Sequence, residues 1–335
     1  MVAKTGLESG APPAGFRWLV VATCAATYAL VVVGGIVRAT GSGDACPDWP
    51  RCHGELLPPL ESDVLIEFSH RLLASLVGFL VLAIAVVAWR TQRHAPLVFW
   101  GALAAVGLVG GQIVLGGVTV LNDLSAGLVM AHLAMAATLL ATLVIIALLS
   151  FAPVEKPAVA EGAASFRNLA VIAALATFAL MLTGSYVSGS GAGLAFRDWP
   201  LFDGKLMPEG GRLAMIHAMH RFAAAAVGLL LAYVAYRAWR TQRWHREVVL
   251  GSALALALYV AQALVGAANI WTLLQPAASA AHLALAAGLW ATLVAVAFFA
   301  QRAAPGVAER NRPVVIEDQR VTAEATVGAA LAPRS

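Results

Sequence analysis

Polar residues in this chain fall into short blocks, and long apolar runs separate them. Eight runs, at about 17–37, 66–89, 97–121, 124–152, 167–189, 213–236, 247–271 and 277–300, are long and apolar enough to cross a bilayer as helices. Hydrophobic residues make up 60% of the chain and charged residues only 12%, too few charges to cover a water-facing surface. The net charge of +4 therefore implies no nucleic-acid partner; it reflects where the loops lie. An even number of crossings puts both termini on one side, and basic residues choose that side. The N-terminus, 90–94, 151–167, 237–246 and the tail hold 15 of the 22 Lys and Arg, while the opposite face holds 7 basic and 10 acidic residues. Cytoplasmic termini are expected in a cell membrane, with the long loops 38–65 and 190–212 outside. Met1–Phe16 lacks an apolar core, so no cleavable signal is expected there, and the stretch from about 303 reads as a disordered cytoplasmic tail.

The blocks repeat. Ala88-Trp89-Arg90-Thr91-Gln92-Arg93 returns unchanged 150 residues later as Ala238-Trp239-Arg240-Thr241-Gln242-Arg243. At the same offset Asp48-Trp49-Pro50 returns as Asp198-Trp199-Pro200, His70-Arg71 as His220-Arg221, Gln112 as Gln262, and Ala131-His132-Leu133-Ala134 as Ala281-His282-Leu283-Ala284. An ungapped repeat of four crossings predicts an all-α membrane protein of two tandem four-helix bundles, related by a pseudo-twofold axis along the membrane normal. The expected divisions are an N-terminus 1–16, a first half 17–152, a cytoplasmic linker 153–166, a second half 167–302 and a tail 303–335.

Four of the eight histidines obey the repeat inside helices: His70, His132, His220 and His282. All fall toward the outer face, and an ionisable group at membrane depth points to function. A lone histidine in such a place often only bonds a neighbouring helix; two that are duplicated together fit that reading poorly. Zinc or copper usually takes three or four protein ligands, whereas a haem iron takes two axial ones. Within each half the pair would face across the bundle, the usual setting for a cofactor. Gly78, Gly110, Gly111, Gly116, Gly117 and Gly228 leave room for a flat macrocycle, or else serve close helix packing. Arg71, Arg221 and Arg38 are candidates for haem propionates, or for interfacial snorkelling. Gln112 and Gln262 more simply bond another helix. Cys24 reads as a small buried apolar residue, and His53, His94 and His245 as surface residues.

Two differences between the halves matter most. Glu67 stands one turn before His70, where the second half has His217 before His220. A carboxylate there is a candidate proton donor or acceptor, with salt-bridging to Arg71 or Arg38 as the plainer alternative. Cys46 and Cys52 in the first outer loop become Phe196 and Phe202 in the second. On the oxidising side the two thiols are expected to form a disulfide, either a loop staple or a redox-active pair.

Over nearly the whole chain these residues resemble the haem A synthase family of eight-helix membrane proteins. The carriers are Gly34-Gly35, Arg38-Ala39-Thr40-Gly41-Ser42-Gly43, Cys46, Cys52, Glu67-Phe68-Ser69-His70-Arg71, His132, His217-Ala218-Met219-His220-Arg221 and His282. The resemblance implies oxidation of the C8 methyl of haem O to the formyl of haem A, for use in terminal oxidases. It implies that His70 and His132 frame the substrate haem, that His220 and His282 ligate a haem b, and that Glu67 is the catalytic carboxylate. Some members carry a cysteine pair in both outer loops; Phe196 and Phe202 exclude a redox role in the second. Haem O synthase and the oxidase assembly machinery would be neighbours in function, beside the membrane lipids and an unidentified electron donor. A rival reading is a two-haem electron carrier, which explains the histidines but neither Glu67 nor the cysteine asymmetry. A parallel-repeat transporter would show broken helices and a polar midplane, and a haem O synthase would show an aspartate-rich prenyl-diphosphate motif.

Overall fold

The computed structural model describes residues 12–55, 58–151 and 163–303. They form α1 (Ala14–Thr40), α2 (Ser62–Thr91), α3 (Pro96–Val120), α4 (Ala126–Phe151), α5 (Ala163–Gly189), α6 (Arg212–Thr241), α7 (Arg246–Trp271) and α8 (Pro276–Ala303), with no strand among the described residues. All eight helices are long and apolar enough to cross a membrane. Most of the expected N-terminal segment, linker and tail lies outside the described residues.

Several helices overrun the apolar runs that announce them. α2 starts at Ser62 and ends at Thr91, and α6 continues to Thr241. The apolar run marks only the hydrocarbon crossing of about 30 Å, while 30 helical residues reach about 45 Å. Backbone pairing continues past that boundary because polar side chains there meet water and headgroups. α5 begins at Ala163, inside the stretch read as linker, and its Phe166 is buried in the core.

Each helix packs on its chain neighbours, α1 also packs on α4, and α5 on α8. α1–α4 therefore close into one ring and α5–α8 into another. The rings meet through α1 against α8, α4 against α5 and α4 against α8. An apolar core that includes Val31, Leu140, Phe166, Leu231, Leu289 and Leu293 fills that junction. Two polar bolts cross it: the Trp290 indole donates to the Ala137 carbonyl at 2.9 Å, and the Tyr28 hydroxyl to the Ala284 carbonyl at 3.0 Å. A second core, built around Val20, Val81, Ile84, Leu143 and Ile146, fills the first ring away from the long loops. Leu72, Phe79, Trp100, Leu229 and Leu250 are exposed, as helices solvated by lipid require.

The two long loops share one backbone design. Gly41 and Gly191 take left-handed conformations (φ 74° and 72°) that end α1 and α5, and a single 3-10 turn follows each, Ser42–Asp44 and Ala192–Leu194. Asp48 then accepts the amides of His53 (2.6 Å) and Gly54 (2.9 Å), as Asp198 accepts those of Asp203 (2.7 Å) and Gly204 (2.8 Å). These donors, with the Gly54 and Gly204 amides foremost, hold both carboxyl groups below the usual aspartate range. Both loops also carry a cis Trp–Pro bond, Trp49–Pro50 and Trp199–Pro200.

Candidate functional site

His70 on α2 and His132 on α4 come from opposite members of the first ring. His220 on α6 and His282 on α8 are related in the same way. Each imidazole is seated against a glycine of the preceding helix. A β-carbon at Gly34 would stand 3.1 Å from His70 Cε1, at Gly116 3.2 Å from His132, at Gly184 3.0 Å from His220 and at Gly266 3.0 Å from His282. Carbon atoms pack best at about 3.5–4.0 Å, so any side chain there would push the ring out of its seat. Gly34 and Gly184, like Gly116 and Gly266, are repeat partners; sequence reasoning saw single glycines and missed this function.

The other glycines divide. A β-carbon at Gly111 would stand 2.9 Å from the Met135 sulfur, at Gly117 3.0 Å from the Trp49 ring, and at Gly228 2.6 Å from the Tyr259 ring. These three accommodate protein side chains rather than a macrocycle. Gly110 meets nothing within 4 Å and Gly78 only Val109 at 3.8 Å. The side-chain oxygens of Gln112 and Gln262 are buried without a hydrogen-bond partner among the described residues, so the expected helix–helix bond does not form through them.

Among the described residues no group of three or more His, Cys, Asp or Glu could hold a bare metal ion. The donor set in each ring is two imidazoles, each seated on a glycine of the preceding helix. That set suits the axial positions of a planar macrocycle.

Above the first pair the loop is tied to α2 by charge. Cys46 and Cys52 form the expected disulfide. Glu67 is 3% exposed; its Oε2 accepts the Cys46 amide at 2.7 Å and its Oε1 the Arg71 guanidinium. Arg71 also donates to the carbonyls of Asp48 (3.0 Å), Arg51 (2.7 Å) and Cys46 (3.0 Å). The guanidinium expected near a propionate is thus largely committed to the loop, and of the two candidate partners for Glu67 it is Arg71 that pairs. Arg38 reaches the other way and donates to the Ser188 carbonyl at 3.0 Å, at the end of α5.

Above the second pair the same backbone is held by rings. Phe196 and Phe202 stack edge to face at 4.9 Å, in the place of the disulfide. Arg221 lies over both, 5.5 Å and 5.3 Å from their centroids, and donates to the Leu201 and Asp198 carbonyls at 2.7 Å and 2.9 Å. Its Nε donates to His217 Nε2 at 3.1 Å, so the imidazole takes the acceptor place of the Glu67 carboxylate.

Three placements differ from the sequence reading. His245, expected at the surface, is buried at the start of α7, its Nδ1 3.7 Å from a Glu247 carboxylate oxygen. The tight turn between α6 and α7 folds its side chain inward, and the repeat hid this because Ala95 stands at the matching position. Cys24 is half-buried rather than buried. Thr183, which sequence reasoning passed over, has its hydroxyl 2.9 Å from His220 Nδ1. Its signal was available as a departure from the repeat, since Val33 is its counterpart.

Eight helices of membrane-crossing length, with a glycine-seated histidine pair in each ring, fit the class of polytopic helical membrane proteins. The chain belongs to the family described as Cytochrome oxidase assembly protein (COX15-CtaA), whose model matches residues 17–294. It is similar to the "Heme A synthase" of Shouchella clausii, 30% identical over 77% of this chain and 87% of that protein. Proteins of the same name from Alkalihalophilus pseudofirmus (28%, covering 72% of this chain and 83% of theirs) and Geobacillus kaustophilus (28%, covering 79% and 85%) are also similar.

Proposed function

We propose that this protein is a haem A synthase, an oxidoreductase that converts the C8 methyl of haem O to the formyl of haem A through successive hydroxylations. The first ring, 17–152, takes haem O as substrate between His70 and His132. The second, 167–302, holds a haem b between His220 and His282, and both sites face the outside, with the termini in the cytoplasm. The haem, when bound, would supply redox chemistry at iron, with dioxygen as the oxidant and electrons from a separate donor. The chain's own residues seat the imidazoles, exclude water and hold a proton near the reacting edge. Two hydroxylations leave an aldehyde hydrate, which loses water.

One observation carries this reading: two matching histidine seats, only one of which has a carboxylate beside it. Either Glu67 or His217 satisfies the arginine below the loop, so the carboxylate is not needed to close the fold. What Glu67 adds over an imidazole there is an anion that takes up a proton one turn from His70. Arg71 and Arg221 act first as loop anchors, and a propionate contact would fall to the donor capacity that the loop carbonyls leave.

The electron-carrier reading draws on a different fact, that both Glu67 oxygens are already engaged. Glu67→Gln separates the two. The amide keeps one acceptor but turns an NH2 group toward a donor, so folded yield will fall and conversion must be counted per folded, haem-loaded molecule. The expected result is retained haem in both rings and haem A formation lowered by about 10²–10⁴-fold, the usual contribution of a general acid or base. Conversion within a factor of two of the wild type would remove Glu67 from the mechanism.

A further inference from the structure

Thr183 precedes the seat glycine Gly184, at the position where the first half has Val33. Its hydroxyl donates to the Leu180 carbonyl, one turn back along α5, at 2.8 Å. A carbonyl oxygen can only accept, and a threonine hydroxyl has one proton. That proton is therefore committed to Leu180, and at 2.9 Å from His220 Nδ1 the oxygen can only accept. Both contacts are satisfied at once when His220 carries its proton on Nδ1 and presents an unprotonated Nε2. The adjacent Gly184 keeps the ring against α5, with Cε1 3.0 Å from where a β-carbon would lie. One dipeptide, Thr183-Gly184, thus sets both the position and the tautomer of the imidazole.

In the first ring the corresponding dipeptide is Val33-Gly34. Gly34 forms the same seat for His70, but valine offers no acceptor, and His70 Nδ1 has no hydrogen-bond partner among the described residues. The ring is positioned without its tautomer being chosen.

We propose that Thr183 is a positioning residue that fixes the metal-ligating tautomer of His220, and that its replacement by Val33 makes the first ring the site where haem exchanges. The inference rests on the haem reading above and deepens it. An acceptor on Nδ1–H orients a ligating imidazole and raises its basicity, and loss of such a partner typically weakens metal binding about 10–100-fold. A resident cofactor needs that tight hold, whereas a site that must admit substrate and release product needs the looser one.

The test follows haem transfer from the full-length, haem-loaded protein in detergent to excess apomyoglobin, with the midpoint potential of the slowly released haem. The wild type should release haem in a fast phase and a slow phase, with His220→Ala abolishing the slow one. Thr183→Val should accelerate the slow phase about 10–100-fold and raise its midpoint potential, and Thr183→Ser should restore both. Val33→Thr should slow the fast phase, an arm that stands even if Thr183→Val folds poorly. Unchanged rates and potential in Thr183→Val, or no slowing in Val33→Thr, would overturn the inference while leaving the haem sites intact. Retention of the slow phase in His220→Ala would instead overturn the haem assignment itself.

Discussion

At the end of the first ring a disulfide loop closes over a carboxylate–guanidinium pair. At the matching place in the second ring two phenylalanines close over a guanidinium bonded to an imidazole. The backbone beneath is the same in both: an aspartate accepting two amides, a left-handed glycine, and an arginine reaching carbonyls 20 and 23 residues back. Those shared contacts maintain the loop, which frees the three differing positions from that task. A covalent link and an aromatic pair are interchangeable as loop closures. A carboxylate and an imidazole are interchangeable as acceptors for arginine but not as proton carriers.

The largest effect should come from exchanging that acceptor. Glu67→His gives the first ring the residue of the second, so the loop and both haems should survive while haem A formation falls by about 10²–10⁴-fold. Product haem per folded protein measures it. If Glu67→His converts normally, the difference between the rings is one of packing alone.

Next in size is removal of the arginine. Arg71→Ala leaves a buried carboxylate without its cation, a change that typically costs about 3–5 kcal/mol. Arg221→Ala exposes only a neutral imidazole and two ring faces, and should cost less. Thermal unfolding of the two purified variants compares them, and equal losses would show that the Glu67 charge carries no special penalty.

How much of this contrast was legible beforehand follows from the physics of each part. The eight crossings, the repeat, the disulfide and the Glu67/His217 and Cys/Phe exchanges are one-dimensional facts. They depend on hydropathy over about twenty residues or on comparing positions 150 apart. The glycine seats and the Thr183 bond depend on which helix faces which, and the spacing along one helix does not report that. The engagement of Arg71 by four acceptors was invisible for a similar reason, because three of them are backbone carbonyls that carry no residue signature. The burial of His245 was missed where the repeat breaks, since its counterpart Ala95 has nothing to bury.

The smallest effect should be one that does not distinguish the rings. Asp48 and Asp198 are held below the usual range by amide donors, so their ionised form stabilises the loops above the ordinary aspartate pKa. That contribution is lost as pH falls through the lowered folded value. Amide exchange at His53 and Gly54, and at Asp203 and Gly204, should therefore stay protected down to about pH 4 and lose protection together below it. Loss in one loop alone would mean that the shared frame is not equally shared.

The division of labour between the rings is tested most directly by the haems themselves, extracted and identified by mass from protein made in cells that supply haem O. The His70→Ala/His132→Ala variant should lose haem O and haem A and keep haem b. The His220→Ala/His282→Ala variant should lose haem b while the first ring still binds haem O. If both double variants lose the same haem, or if haem b leaves with the first pair, the two rings do not hold a substrate and a resident cofactor.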